Sequence, residues 1–565
     1  MADITQSIAD SVWYGWGDPA LAEPLSEHAL AYLTDELRLG SISPTRLPVD
    51  LSEVRLGDSR LDERRLALLR DAVGSDAVFT DRTERIRHAG GKSTVDLLRI
   101  RAGVAGEAPD AVICPETSEQ VADLLRVCAA EKIAVVPFGG GTSVVGGVRA
   151  TPGRFDAVVS VDLHRLNRML SLDPVSRTAV FQAGIRGPAL EAALADRGFT
   201  LGHLPQSHQE ASLGGYAATR SAGQSSAGYG RSDELITALR VEAPAGTLRL
   251  GGHAPASATG PGLLDLLIGS EGVYGIITEV TVSIVPKPLE KAFGAWSFPS
   301  FEAGAEALRE LIQGDEHGEV PTVCRLSDVD ETDANLRLAG GRSVEYLRRY
   351  LQMRGHTHPA LGIFVWEGRR GSTAARRRRS ARVFRRHGGV AVTASPARAW
   401  DRGRFLAPYR RDELLTRGVL VETLETATSW ANLHATHRAV HAAITGALEM
   451  NGAPCHVQTH ISHLYPGGAS LYYTFVAGME GDGIEQCLRV KRAASEAIVV
   501  SGAAISHHHA IGSDHAEYLA EQIGALAEDV LGAVKYALDP VGILNPGKLI
   551  RLEDGISDAT AEVPQ

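Results

Sequence analysis

The sequence predicts an α+β protein with more than one domain, and three observations lead there. The chain has 565 residues, 44% hydrophobic and 22% charged, an ordinary globular composition over a length greater than one core organises. Short apolar runs bounded by turn residues alternate with stretches of helical spacing along the whole chain. The rhythm of that alternation changes after Pro286 and Pro288, which marks a boundary between two mixed layers of strand and helix.

The elements follow in order. Residues 1–100 form a mostly helical region in which 62–73 (DERRLALLRDAV) carries apolar residues at helical spacing. Residues 111–114 read as a strand stopped by Pro115. Residues 118–131 read as a helix with Val121, Leu124, Leu125 and Cys128 on one face, and 133–136 as a buried strand. Strands at 157–161 and 178–182, a helix at 188–197 and a strand at 280–285 complete this part. Beyond it, helices such as 301–313 alternate with strands such as 362–366 and 470–475. Residues 516–537 read as one helix, ended by Pro540 and Pro546.

Composition excludes several roles. The formal net charge of -11 is opposite to the basic field a nucleic-acid binder needs. The five cysteines are odd in number and form no C-x-x-C pair, which fits reduced thiols in the cytoplasm and gives no zinc or disulfide framework. The N-terminus lacks a basic start followed by an apolar run, and no window approaches the roughly 18 apolar residues of a bilayer span.

The chemistry starts in the loop that follows strand 133–136: Pro137, Phe138, Gly139, Gly140, Gly141, Thr142 and Ser143, running on to Gly147. A pyrophosphate needs several converging backbone N–H donors, and glycine allows that close approach. Taken alone, the loop is equally a tight turn. It matches neither the G-x-G-x-x-G frame nor a Walker loop. Three further segments follow in order: Pro205-Gln206-Ser207; Gly214 and Gly215 through Ala218, Thr219 and Ser221; and Glu271, Gly272, Gly275, Ile276 and Ile277. Together the four resemble the FAD-binding domain of the vanillyl-alcohol oxidase and p-cresol methylhydroxylase family. That resemblance implies a vanillyl-alcohol oxidase-type FAD-binding domain at 101–287, an α+β cap domain at 288–505 that shapes the substrate pocket, and a C-terminal segment, 506–565, returning to the flavin. Covalently flavinylated members carry a histidine in the first loop. None stands here, so the resemblance implies non-covalent FAD.

Within that family the chain is similar, almost end to end, to the alkylglycerone-phosphate (alkyl-dihydroxyacetonephosphate) synthases. The likeness runs from Trp13-Tyr14-Gly15-Trp16-Gly17 through 81–103, Arg325 in CRLSD, Arg411 in YRRD and Trp430, to GGASLYYTF at 467–475 and the histidines His507, His508 and His509. It implies exchange of the acyl group of acyl-dihydroxyacetone phosphate for a fatty alcohol, without net redox change, through an adduct at flavin N5. Tyr472 matches the family's acid/base tyrosine, His508 and His509 its active-site histidines, and Arg325 and Arg411 its substrate-handling arginines; His460 and His507 join them at the substrate. A free phenol titrates near pH 10, so Tyr472 needs cationic neighbours, a part for His508 and His509.

Without the resemblance these residues read otherwise. Tyr472 alternates on a strand pattern like a packed tyrosine, a histidine run is a surface or hydrogen-bonded feature, and an arginine is a solvated charge. Two departures bear on the substrate. His460 stands where the family has an arginine, and Ser513-Asp514-His515 replaces basic residues, so fixed positive charge is reduced. A second reading is an FAD-linked oxidase or dehydrogenase of a 2-hydroxy acid or small alcohol, whose tail also resembles LDPVGILNPGK. That branch binds a metal through two histidines that fall on Tyr465 and Tyr472 here, so no metal is expected. A third reading is a non-catalytic flavoprotein. The arginine run within 369–386 reads as a solvated helix face or as peripheral contact with anionic lipid. By resemblance the protein is a homodimer with a lipid-like small-molecule substrate; the family's peroxisomal targeting segment is not evident, so a cytoplasmic protein is expected, and its charge predicts no nucleic-acid partner.

Overall fold

A computed structural model describes residues 11–39, 42–252, 254–314, 320–450, 452 and 454–550. The extreme ends of the terminal regions drawn above, 1–10 and 551–565, lie outside the described residues.

A four-stranded sheet begins the first layer, in the order Val78–Phe79, Ala111–Ile113, Ala157–Asp162, Ile133–Phe138, with the last three parallel. Ala157–Asp162 is buried along its whole length, as parallel strands covered on both faces are. The helix Ser118–Glu131 starts at a capping box of Thr117 and Gln120 and stops at Lys132 in the left-handed conformation. It buries Val121, Leu124, Leu125 and Cys128 completely. Because Phe138 lies opposite Asp162 at the carboxyl end of this sheet, the glycine loop leaves from the edge where α/β sheets hold their ligands.

A five-stranded antiparallel sheet follows, in the order Met169–Asp173, Thr178–Gln182, Ile276–Ser283, Ile236–Ala243, Gly246–Gly251. It shares one hydrophobic core with the first sheet. The third sheet has eight strands, with Val323–Ser327, Cys455–Ile461 and Gly468–Gly478 in its interior and Val419–Ser429 at one edge. It has its own core around Phe364, Phe384, Tyr473 and Phe475, packed with helices Phe301–Gln313, Ser372–Arg386, Leu433–Glu449 and Ile484–Val500.

The C-terminal segment returns to the first sheet. Val135 N–H donates to Ile543 O at 2.8 Å, and Asn545 N–H donates to Val135 O at 2.8 Å. Asp539 holds the intervening turn by accepting from the N–H groups of Gly542, Ile543 and Leu544. This is the physical content of LDPVGILNP.

Two expectations change. The single helix at 516–537 is a 3-10 turn at Ala516–Tyr518, a short helix Leu519–Ile523 and a separate helix Ala525–Leu538. Gly524, at φ 86°, breaks it, a conformation that costs glycine little. In the N-terminal hundred, the helices Glu27–Glu36, Glu63–Val73, Arg82–Arg87 and Thr94–Arg101 are separated by long irregular stretches, so helix is its main regular structure but not most of its length. The arginine run is less solvated than a free face. Arg376 donates to Glu367 O and Val320 O, Arg386 pairs with Glu310, and Arg377 and Arg385 lie over the rings of Trp366 and Trp296.

Candidate active site

A cavity of about 410 Å³ lies where the glycine loop meets the eight-stranded sheet. Its wall contains every cofactor-binding residue expected from the sequence except Ile276, together with Arg325, Arg411, His460, Tyr472, His508 and His509. Ile276 is fully buried; it follows Gly275, and strand alternation turns its side chain into the core. His507 is also absent from the wall: its ring is buried against His508 and, contrary to the expectation, does not face the substrate space. Ser513, Asp514 and His515 do not line the cavity either. Asp514 pairs with Lys491 at 2.7 Å and Arg149 at 2.9 Å.

The wall suits FAD. A Cβ at Gly140 would lie 1.9 Å from Glu210 O, so only glycine lets the loop seat against that backbone. Gly141 adopts φ 65° with the Phe138 ring packed beneath it. The hydroxyls of Thr142, Ser143, Ser212 and Thr219 join this side-chain-poor surface. Gln206 Nε2, in the wall, is buried without a hydrogen-bond partner among the described residues, a donor suited to the carbonyl and ring-nitrogen acceptors of a flavin.

Opposite stands Tyr472, on Gly468–Gly478. Its neighbour Tyr473 turns the other way and is fully buried in the core, so strand alternation delivers Tyr472 to the cavity. The Tyr472 ring stacks on His460 at 5.0 Å and on His508 at 6.1 Å, and meets His509 edge-on at 5.7 Å. Burial pushes its phenol up to about 12; the Thr423 hydrogen bond opposes this, Glu422 and Glu425 add to it, and Arg325 lowers it. The expected lowering by cationic histidines is therefore not met. Burial, helped by His508, brings His509 down to about 3, so it is neutral near pH 7 and lends no positive charge.

The histidine segment has no helix or strand to fix it. One carboxylate does so: Glu425 accepts from the backbone N–H groups of His507, His508 and His509 at 2.9, 3.0 and 3.0 Å, and from Ser506 Oγ at 2.9 Å. Burial opposes its ionisation, yet its contacts with the histidine segment, those with His508 first, hold it well below the usual carboxylate range.

The arginines are tethered. Arg325 pairs with Glu331 and donates to His460 Nε2 at 2.8 Å. Since guanidinium only donates, His460 carries its proton on Nδ1, 3.2 Å from Glu331 Oε2. Arg411 donates to Lys92 O at 2.6 Å and to Asp412. His463, His507 and His508 bring ring nitrogens within 4.8 Å of one another. These nitrogens are engaged: His463 Nε2 donates to Gly223 O at 3.0 Å while its Nδ1 meets Ser462 Oγ at 2.8 Å, and His507 bonds both Tyr465 and His508.

Comparison with known proteins places this geometry. Residues 109–251 match the FAD binding domain family, and 287–549 match the FAD linked oxidases, C-terminal domain. The alkyldihydroxyacetonephosphate synthase of Trypanosoma brucei brucei is 30% identical over 579 aligned positions, spanning 97% of this chain and 93% of that protein. The chain belongs to the alkyldihydroxyacetonephosphate synthase family. The synthase of Dictyostelium discoideum is also 30% identical, over 84% of this chain and 79% of its own length. A solved alkyldihydroxyacetonephosphate synthase superposes with a TM-score of 0.83 at 26% identity, covering 95% of this chain and 98% of that one. p-Cresol methylhydroxylase, at 15% identity and a TM-score of 0.64, shares the fold. FAD is the cofactor of this synthase-family chain.

Sequence reasoning missed Glu425 and Glu331. In sequence each is one more acid on a strand or helix, and neither carries a motif. Only the strand register and the hydrogen bonds reveal that Glu425 anchors the histidine segment of this synthase-family site and that Glu331 tethers Arg325 and His460.

Proposed function

We propose that this chain exchanges the acyl group of acyl-dihydroxyacetone phosphate for a fatty alcohol, forming an ether lipid precursor. The observation that carries the reading is the convergence of Tyr472, His508, His509, Arg325 and Arg411 on one cavity with the FAD loop. Bound FAD, held non-covalently, supplies an electron reservoir next to the reacting carbon. Tyr472 Oη holds the proton exchanged at that carbon. The guanidinium groups of Arg325 and Arg411 bind the phosphate and the departing carboxylate, the anions their geometry fits. His460, neutral and fixed by Arg325 and Glu331, orients substrate through shape where the family's arginine acts through charge. The glycine-lined side of the cavity binds FAD within 101–287, and the eight-stranded sheet of the 288–505 cap binds the lipid.

No helix of the described residues is long and apolar enough to cross a membrane. We infer a cytoplasmic homodimer whose lipid substrate is drawn from a membrane surface by peripheral contact; sedimentation and vesicle flotation test these two points. The activity is tested by incubating the FAD-loaded protein with palmitoyl-dihydroxyacetone phosphate and labelled hexadecanol, without an electron acceptor. Label in an alkali-stable ether supports the reading. Reduction of the flavin by D-lactate or D-2-hydroxyglutarate, with no ether formed, replaces it with a dehydrogenase.

A further inference from the structure

We propose that His508, His507 and Tyr465 form a relay that carries a proton out of the cavity during each turnover. The inference rests on the exchange reading above. In that exchange the fatty alcohol loses its hydroxyl proton as its oxygen bonds to the substrate carbon. The bond from that carbon to the acyl oxygen breaks, and its electron pair leaves with the carboxylate. A carboxylic acid titrates near pH 4.3, so the fatty acid departs ionised at neutral pH and one proton remains behind. A buried cavity needs a route for it.

The geometry supplies one. His508 lines the cavity. Its Nδ1 lies 2.9 Å from His507 Nδ1, and His507 Nε2 lies 2.6 Å from Tyr465 Oη. His507 is thus hydrogen-bonded at both ring nitrogens, between a group in the cavity wall and a tyrosine that is only partly buried. Imidazole takes a proton at one nitrogen while releasing one from the other, which suits it to this place. Two nitrogens in contact require that one donates and the other accepts, so the link between the two rings contains a proton ready to pass.

The steps balance. His508 Nε2 takes the proton from the alcohol, and the Nδ1 proton of His508 moves to His507 Nδ1. The Nε2 proton of His507 moves to Tyr465 Oη, and the hydroxyl proton of Tyr465 leaves to solvent. The backbone that places the rings is fixed, since Glu425 accepts the N–H groups of His507 and His508 and Arg231 donates to His507 O at 3.0 Å. Burial, the His508 ring 5.2 Å away and Arg231 disfavour a lasting charge on His507. The Glu425 carboxylate, 3.7 Å from His507 Nδ1 and 3.3 Å from His508 Nδ1, offsets the passing one. Burial brings His507 down to about 3, so it transmits a proton without storing it.

The test uses FAD-loaded Tyr465→Phe, which keeps the ring and removes the relay atom. The expected result is a fall in kcat of about tenfold or more, both KM values within twofold of wild type, a larger solvent deuterium isotope effect, and unchanged FAD content. In the resting protein, nitrogen-15 NMR of the imidazoles is expected to show a changed tautomer balance at His507. His507→Ala, rescued by added imidazole, gives the same answer independently should Tyr465→Phe fold poorly. Wild-type kcat and isotope effect in Tyr465→Phe, or no rescue of His507→Ala, overturns the relay while leaving the exchange standing. Absence of exchange in the wild type overturns the functional reading itself.

Discussion

Glu425 and Tyr472 lie directly opposite one another across the antiparallel pair Val419–Ser429 and Gly468–Gly478. The strand that presents the proposed acid/base phenol is thereby tied to the carboxylate that fixes the histidine segment. Glu425→Ala leaves the N–H groups of His507, His508 and His509 without their acceptor, each loss worth about 1 kcal/mol or more. We expect a loss of about 3 kcal/mol in stability and a drop in activity of about tenfold or more. Glu425→Gln keeps an acceptor at Oε1 and is expected to retain most of the stability. Thermal melting and steady-state rates of the two variants check this; equal effects would contradict the anchoring role.

Tyr472→Phe leaves the packing of the strand intact and removes one oxygen. The expected outcome is a fall in kcat of about 10² or more, with FAD content and melting temperature unchanged. A variant with wild-type turnover would return Tyr472 to the rank of a packed tyrosine.

A buried pair beneath the FAD loop makes stability depend on pH. His88 Nδ1 lies 2.8 Å from Glu84 O and His88 Nε2 2.9 Å from Asp162 Oδ2. Both partners accept, so both nitrogens donate and His88 is an imidazolium. Burial works against that charge, but the Asp162 hydrogen bond and charge outweigh it and raise His88, while burial of Asp162 is outweighed by His164 and His88 and it is lowered. The histidine's contribution is full below its unfolded value of about 6.5 and is lost as pH rises through its raised folded value. The carboxylate's is present above about 3.9 and is lost only in stronger acid. Asp162→Asn is expected to cost about 3 kcal/mol near pH 6 and to flatten the alkaline decline seen in a series of melting curves. A variant with the wild-type slope would contradict the pairing.

Chelators are expected to leave exchange activity unchanged, because His463 and His507 each spend both ring nitrogens on hydrogen bonds. Loss of activity with EDTA, restored by zinc, would show that these rings bind a metal.

The helices Ser118–Glu131 and Phe301–Gln313 were legible to the residue because their caps, Thr117 with Gln120 and Ser300, stand in the sequence as hydrogen-bonding side chains. The break at Gly524 was not, since a glycine inside a helical pattern signals either a tolerated residue or a stop. At the site, the glycine loop was legible in its residues and their order, whereas Tyr472 was reached only through the family resemblance, because strand alternation by itself does not say which face is the cavity and which the core. His507 could not be told from His508, because a run of three histidines without regular structure does not say which rings face inward. Glu425 lies about 80 residues before the segment it holds, and a contact at that separation leaves no local pattern.

The most direct measurement is anaerobic flavin spectroscopy on the purified protein. Palmitoyl-dihydroxyacetone phosphate is expected to bleach the visible absorbance of bound FAD and hexadecanol to restore it, with the ether released and no acceptor consumed. Bleaching by D-lactate or D-2-hydroxyglutarate that only an added electron acceptor reverses, with no response to the acyl ketone phosphate, would contradict that expectation.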